Sequence, residues 1–200
     1  SRSSGPDTTH SDGAFTTARS IASPITSRTS LSGSGIDIIE PPAGPADGYH
    51  VSADLVDQLL KMVADSKGVR PDRPVFSYVA FGACHAPHQA PADIIKSYDE
   101  TFTRGWDVER EQRMARQKAM GIVPPETRMP ARNDGVKAWD EHSADEKRLF
   151  TRLQSAFAGM LDHADQHLAR LIGFLDQAGI RDNTLVLVLS DNGASQEGGP

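Results

Sequence analysis

Leu185-Val186-Leu187-Val188-Leu189-Ser190-Asp191-Asn192-Gly193 is the stretch on which the reading of the fold turns. Five consecutive aliphatic residues predict a strand buried on both faces, as in the interior of a parallel sheet. Asp191 and Asn192 then stand at the carboxyl end of that strand, where open α/β sheets place their ligands. Both offer the hard oxygens that calcium and magnesium prefer, and Gly193 lets the backbone turn sharply beside them. Asp-Asn-Gly is also an ordinary turn tripeptide. Choosing between a ligand site and a plain turn therefore needs a second strand end.

That second end lies upstream. Val75 to Phe81, V-F-S-Y-V-A-F, reads as another buried strand, β-branched and aromatic with small residues between. It empties into Gly82-Ala83-Cys84-His85-Ala86-Pro87-His88-Gln89-Ala90-Pro91, a proline-stiffened loop carrying two imidazoles and a thiol. Pro87 disfavours helix at the preceding residue, so His85 and His88 do not share a helix face. Cys84 reads as a small, partly buried thiol or as a nucleophile beside His85. If the two strands are parallel neighbours in one sheet, both loops open on the same rim. His85 then converges with Asp191 and Asn192 on a cation site beside a donor histidine. Metal charge and imidazole together suit an anionic ester, whose oxygens gain charge in the transition state. Histidine can also protonate a departing alkoxide or phenoxide. Composition and spacing leave sulfate and phosphate both open.

The segments around these strands fit an α/β plan. Leu55, Val56, Leu59, Leu60 and Val63 repeat at helical spacing, with Ser52 as the expected N-cap and Gly68 as the stop. Pro91 opens a short helix to about Tyr98. Asp107 to about Ala119 predicts a charged, solvated helix. Residues 122 to 142, with Pro124, Pro125 and Pro130, form a long excursion of the kind that makes lids or substrate walls. Ser143 and Glu146 make a capping box. Behind it, Leu149, Leu153, Phe157, Met160, Leu161, Ala164, Leu168, Leu171, Ile172 and Leu175 keep one apolar stripe to Gly179. Asp162, His163, Asp165 and His167 are assigned to a polar face of that helix, because the two histidines lack the glutamate of a zinc-protease motif. Residues 1 to 37, rich in Ser, Thr and Gly, read as a disordered or loosely attached leader. Ile36 to Ile39 is the one candidate edge strand there. A net charge of −6 without a basic block argues against a nucleic-acid surface. No apolar run approaches a membrane span. The lone cysteine excludes a disulfide framework and a four-cysteine zinc site.

Taken together, F-G-A-C-H-A-P-H-Q-A-P, G-W-D-V-E-R-E-Q-R-M-A-R-Q-K and L-V-L-V-L-S-D-N-G-A-S-Q-E-G-G-P resemble the arylsulfatases of the alkaline-phosphatase superfamily, in particular the large bacterial type-I branch. The resemblance covers about Pro41 to Pro200. It implies an α/β fold, a parallel-sheet sandwich with helices on both faces, incomplete in this chain. It implies that residues 38–200 are an internal part of a sulfatase catalytic domain, preceded by a disordered or unrelated leader over 1–37. It further implies a small-molecule sulfate ester as substrate and one calcium ion as cofactor, ligated by Asp191 and Asn192. Asp191 is implied to assist the nucleophile, and His85 to contact the sulfate and the leaving-group oxygen. His88 receives no catalytic part.

The departures carry equal weight. The family nucleophile is a formylglycine made from the first residue of C/S-x-P-x-R. At Cys84 that motif fails, since Ala86 stands where the proline belongs and His88 where the arginine belongs. The paired aspartates that complete the calcium site, and the lysines and histidine that hold the sulfate, are also missing. The expectation is a fragment whose nucleophile lies upstream and which is inactive by itself. Two alternatives stand beside it: a phosphodiesterase or phosphonate monoester hydrolase of the same superfamily, and a non-catalytic cation-binding remnant.

Overall fold

Threonines and aliphatic residues near the amino terminus form three short strands, as β-branched side chains favour. They are β1 (Ala14–Arg19), β2 (Arg28–Ser32) and β3 (Gly35–Ile39). The computed structural model describes residues 14–19, 28–32, 35–39 and 44–190, and within the first three of these ranges the backbone alone. Together with β4 (Val75–Val79) these strands make one sheet in the order β3-β2-β1-β4. β1 runs antiparallel to β2, with Thr17 opposite Leu31, and β2 antiparallel to β3, with Ser30 opposite Asp37. β1 and β4 are parallel, with Ala14 opposite Val75. Ile36 to Ile39 thus lies in an edge strand, as its sequence suggests. β1 and β2 fall inside residues 1 to 37, where no apolar period announces them.

The chain divides into two compact units, 1–82 and 83–200. In the first, helix α1 (Val51–Val69) buries Leu55, Val56, Leu59 and Val63. Fully burying such a side chain contributes about 1.5–3 kcal/mol. The N-cap is His50 and not Ser52: the His50 Nδ1 accepts the Ser52 backbone N–H at 3.2 Å. Ser52 is one of the most buried residues, which leaves the imidazole as the available acceptor. Gly68 lies within the last turn, and Lys67 closes the end by donating to the carbonyls of Pro71 and Arg73 at 2.9 and 2.8 Å.

β4 corrects the expectation of a buried strand. Its central residues are exposed, Phe76 at 56% and Tyr78 at 54%. It stands at the edge of the sheet in the order given above, with one side of its backbone outside the ladder.

The second unit is helical. It holds α2 (Ala92–Ser97), α3 (Asp99–Phe102), α4 (Gly105–Ala119) and the long α5 (Ala144–Gln177). The capping box forms as predicted. Ser143 Oγ accepts the Glu146 N–H at 3.3 Å, and Glu146 receives the Ser143 N–H at 2.8 Å. Gly179 takes a left-handed φ of 64° just past the helix, where a Cβ would be strained.

The apolar stripe of α5 is only partly the packed face. Met160, Ala164 and Leu175 are buried, whereas Leu149, Leu153, Phe157 and Leu161 are exposed. The covered face instead carries Thr151, Ser155 and Gly159. A Cβ added at Gly159 would lie 3.2 Å from the Ile95 backbone, so the absence of a side chain lets α2 approach this closely. Tyr98, at the end of α2, donates to Asp162 at 3.1 Å. His163 and His167 are likewise not on a solvated face. Both are buried, with their Nε2 atoms 3.1 Å apart, and Arg170 meets the His167 Nδ1 at 2.8 Å. Arginine can only donate, so the neutral His167 carries its proton on Nε2 and donates a hydrogen bond from it to His163 Nε2.

The stretch Leu185 to Leu189 forms no strand. Residues 184–190 belong to no regular element and are exposed, Leu185 at 85% and Leu189 at 80%. A run apolar on both faces is held only where neighbouring strands take its backbone groups and two layers cover its sides. Among the described residues nothing does so. A parallel sheet with helices on both faces is therefore absent from the described residues, whose only sheet is mixed.

Candidate active-site loop

The loop after β4 keeps its concentration of reactive side chains. Cys84 is partly buried, His85 exposed and His88 partly buried. Each imidazole is tied to a backbone carbonyl within the loop. His85 Nδ1 lies 2.7 Å from the Ala86 oxygen, and His88 Nε2 lies 3.2 Å from the Cys84 oxygen. A carbonyl only accepts, so the proton sits on Nδ1 of His85 and on Nε2 of His88. His85 in its neutral form thereby presents Nε2 as an acceptor. It donates from that atom only as imidazolium. Burial pushes the Cys84 thiol up from its ordinary 9.0, which keeps it protonated and a poor nucleophile.

His88 also meets the second unit's main helix. Its ring stands edge-on to Phe157 of α5, with centroids 5.2 Å apart and planes at 80°. Nothing in the sequence signals this contact, which joins residues far apart in the chain.

Asp191 and Asn192 lie outside the described residues. Among the described residues no group of three or more His, Cys, Asp or Glu is placed to hold a metal. Among the described residues the buried His163–His167 pair is not joined by a third ligand of these types. The described part of the chain thus does not supply the calcium site that the resemblance implies.

The excursion that sequence reads as a lid or wall is pinned to α4. Asp107 receives Arg132, one guanidinium nitrogen bridging both carboxylate oxygens at 2.9 and 3.1 Å, and also the Trp139 N–H at 2.9 Å. Trp106 donates to the Lys137 carbonyl at 3.2 Å and packs edge-on against Trp139 and His142. α4 is less solvated than its charges suggest, since Glu109 is buried and ion-paired with Arg104 at 2.6 Å. Beside this cluster an open cleft of about 350 Å³ is lined by Asp99, Trp139, Lys147, Arg148 and Arg152 among others. Its cations already face carboxylates: Arg152 to Asp99, Lys147 to Asp140 and Arg148 to Asp145. None of the predicted site residues lines it.

The sequence model of the Sulfatase family matches residues 8–200, and the chain belongs to the sulfatase family. Sulfatases as a family have an alkaline-phosphatase-like α/β fold, act on small sulfate esters and generally use a divalent cation. An uncharacterized sulfatase of Schizosaccharomyces pombe is 36% identical over 136 residues, 67% of this chain and 24% of that protein. An arylsulfatase of Klebsiella aerogenes is 33% identical over 129 residues, 64% of this chain and 28% of that protein. The chain thus spans about a quarter of the length of the curated relatives it matches. No helix among the described residues is long and apolar enough to cross a membrane.

Proposed function

We propose that this chain is the part of a sulfatase that carries the leaving-group histidine and two metal ligands of an aryl sulfate hydrolase. The reaction joins a sulfate monoester and water to give a phenol or alcohol and sulfate. The observation that carries the reading is His85: an exposed imidazole on the loop after β4, with Nδ1 committed to the Ala86 carbonyl. As imidazolium it donates from Nε2 to the departing oxygen, and the fixed Nδ1 bond keeps the ring turned for that donation. Asp191 and Asn192 are proposed as two ligands of a calcium ion, with Asp191 also assisting the nucleophile. When bound, such an ion withdraws charge from the ester oxygens. The partner strands of a parallel sheet with helices on both faces, as the family fold implies, would bring these residues to one rim. Residues 38–200 then form an internal part of the catalytic domain, with the nucleophile a formylglycine upstream.

The test uses this chain and a version extended upstream through a maturable C/S-x-P-x-R, on paired aryl sulfate and aryl phosphate substrates. The extended protein is expected to hydrolyse the sulfate and the present chain neither ester. In the extended protein, His85→Ala should lower kcat by ~10²–10³, the usual loss when one preorganised group at a developing charge is removed. Preference for the phosphate, turnover by the present chain, or an unaffected His85→Ala variant would each overturn the proposal. Calcium should bind this chain weakly, because two side chains provide few of the ~6–8 oxygens the ion takes. Tight, stoichiometric binding in a calorimetric titration contradicts that ligand assignment.

A further inference from the structure

We propose that His88 is a positioning residue for His85, acting as a latch between the reactive loop and helix α5. The inference rests on the sulfatase reading of His85 given above. His85's bond to the Ala86 carbonyl is local: it sets the ring relative to the loop and moves wherever the loop moves. A group that must meet a leaving oxygen also needs the loop itself held against a rigid element. His88 has the two contacts that do this. Its Nε2–H donates back to the Cys84 carbonyl at 3.2 Å, closing the turn around residues 85 to 87. Its ring packs edge-to-face on Phe157, at 5.2 Å and 80°, and Phe157 belongs to a helix of 34 residues fixed by its own capping box. Edge-to-face aromatic contacts have a preferred geometry, so the ring fixes orientation as well as distance. The His88 imidazole thereby links the position of His85 to α5.

Each half of the latch can be removed separately. His88→Phe keeps a ring against Phe157 and removes the donor. His88→Gln keeps an amide N–H near the place of Nε2 and removes the ring. His88→Ala removes both. The experiment uses the full-length sulfatase containing this stretch, assayed on aryl sulfates whose phenols range from acidic to weakly acidic. Weakly acidic phenols depend on proton donation to the leaving oxygen. A displaced His85 should therefore lower kcat for these esters by on the order of 10²-fold in His88→Ala, with KM little changed and a smaller loss for acidic phenols. His88→Phe and His88→Gln should each recover part of the loss. Because His88 acts through His85, the His85→Ala/His88→Ala double variant should be no slower than His85→Ala.

Amide hydrogen exchange over residues 84–88 is read alongside and should quicken in His88→Ala. A loss uniform across all esters, or one that adds fully in the double variant, would show general structural damage and overturn the proposal. Unchanged exchange overturns the latch while leaving the sulfatase reading intact. Faster exchange with an unaffected His85→Ala enzyme overturns the role of His85, and the positioning role falls with it.

Discussion

Gly105→Ala probes how the excursion is held to α4. Gly105 opens α4 with φ +80°, and a Cβ there would run into Cγ, Cδ1 and Cδ2 of the Trp139 indole. Two costs follow. Forcing a residue with a Cβ into the left-handed region costs ~1–2 kcal/mol. Adding a methyl group to a filled site costs ~1–3 kcal/mol more, and Trp139 has no slack, being only 8% exposed and bonded through its N–H to Asp107. The sum is about 2–5 kcal/mol, which at a urea dependence of about 2 kcal/mol/M lowers the unfolding midpoint by roughly 1–2.5 M. Gly121→Ala is the control. It has φ +69° and open space around the added Cβ, so it carries only the backbone cost, about 1–2 kcal/mol. The assay is urea unfolding followed by tryptophan fluorescence. The chain's two tryptophans, Trp106 and Trp139, lie against each other at 4.9 Å, so the signal reports this cluster directly. Equal midpoint shifts for the two variants would refute the clash with Trp139, and an unshifted Gly105→Ala would refute both terms.

Glu146 should titrate as the anchor of the α5 cap. Hydrogen bonds from the Ser143 hydroxyl and backbone, with His142 nearby, lower its carboxyl from the ordinary 4.5 to about 2. Its contribution to the helix start is therefore complete above pH 4.5 and lost as pH falls through about 2. Carbon-detected NMR of the Glu146 carboxyl checks the midpoint, and one near 4.5 contradicts the cap. Cys84 should alkylate slowly at neutral pH, with an iodoacetamide rate that rises only above pH 9, since burial holds the thiol protonated. Rapid labelling at pH 7 would indicate a thiolate that these surroundings do not stabilise.

Local chemistry was legible in the sequence wherever one short stretch decides the structure. The Ser143–Glu146 box, the stop at Gly179, the proline start of α2 and the loop after β4 all depend on residues within a turn of each other. Cap choice failed at α1 because Ser52 and His50 both offer an acceptor, and burial of Ser52 decided between them. Contacts between residues distant in the chain were not legible. His88 against Phe157, Tyr98 to Asp162 and Asp107 to Arg132 join residues distant in the chain, and no spacing rule relates them. Burial of His163 and His167 was missed for a related reason. Composition makes histidine polar, but here each imidazole finds a partner on its own helix, and a hydrogen-bonded imidazole can leave water.

Periodicity shows which residues favour burial and is silent on what covers them. On α5 two faces competed: an aliphatic ridge of Leu149, Leu153, Phe157 and Leu161, each four residues from the next, and a small-residue face through Ser155 and Gly159. The ridge offers more apolar area, but a lone short helix cannot cover it as closely as it can nest on the small face. Packing density favours the closer approach, and α2 took it. The ridge and the Leu185–Leu189 run are the surfaces in this unit that an α/β architecture would cover with a sheet. Phe157 stands where these arrangements meet, since it belongs to the exposed ridge and also receives the edge of His88.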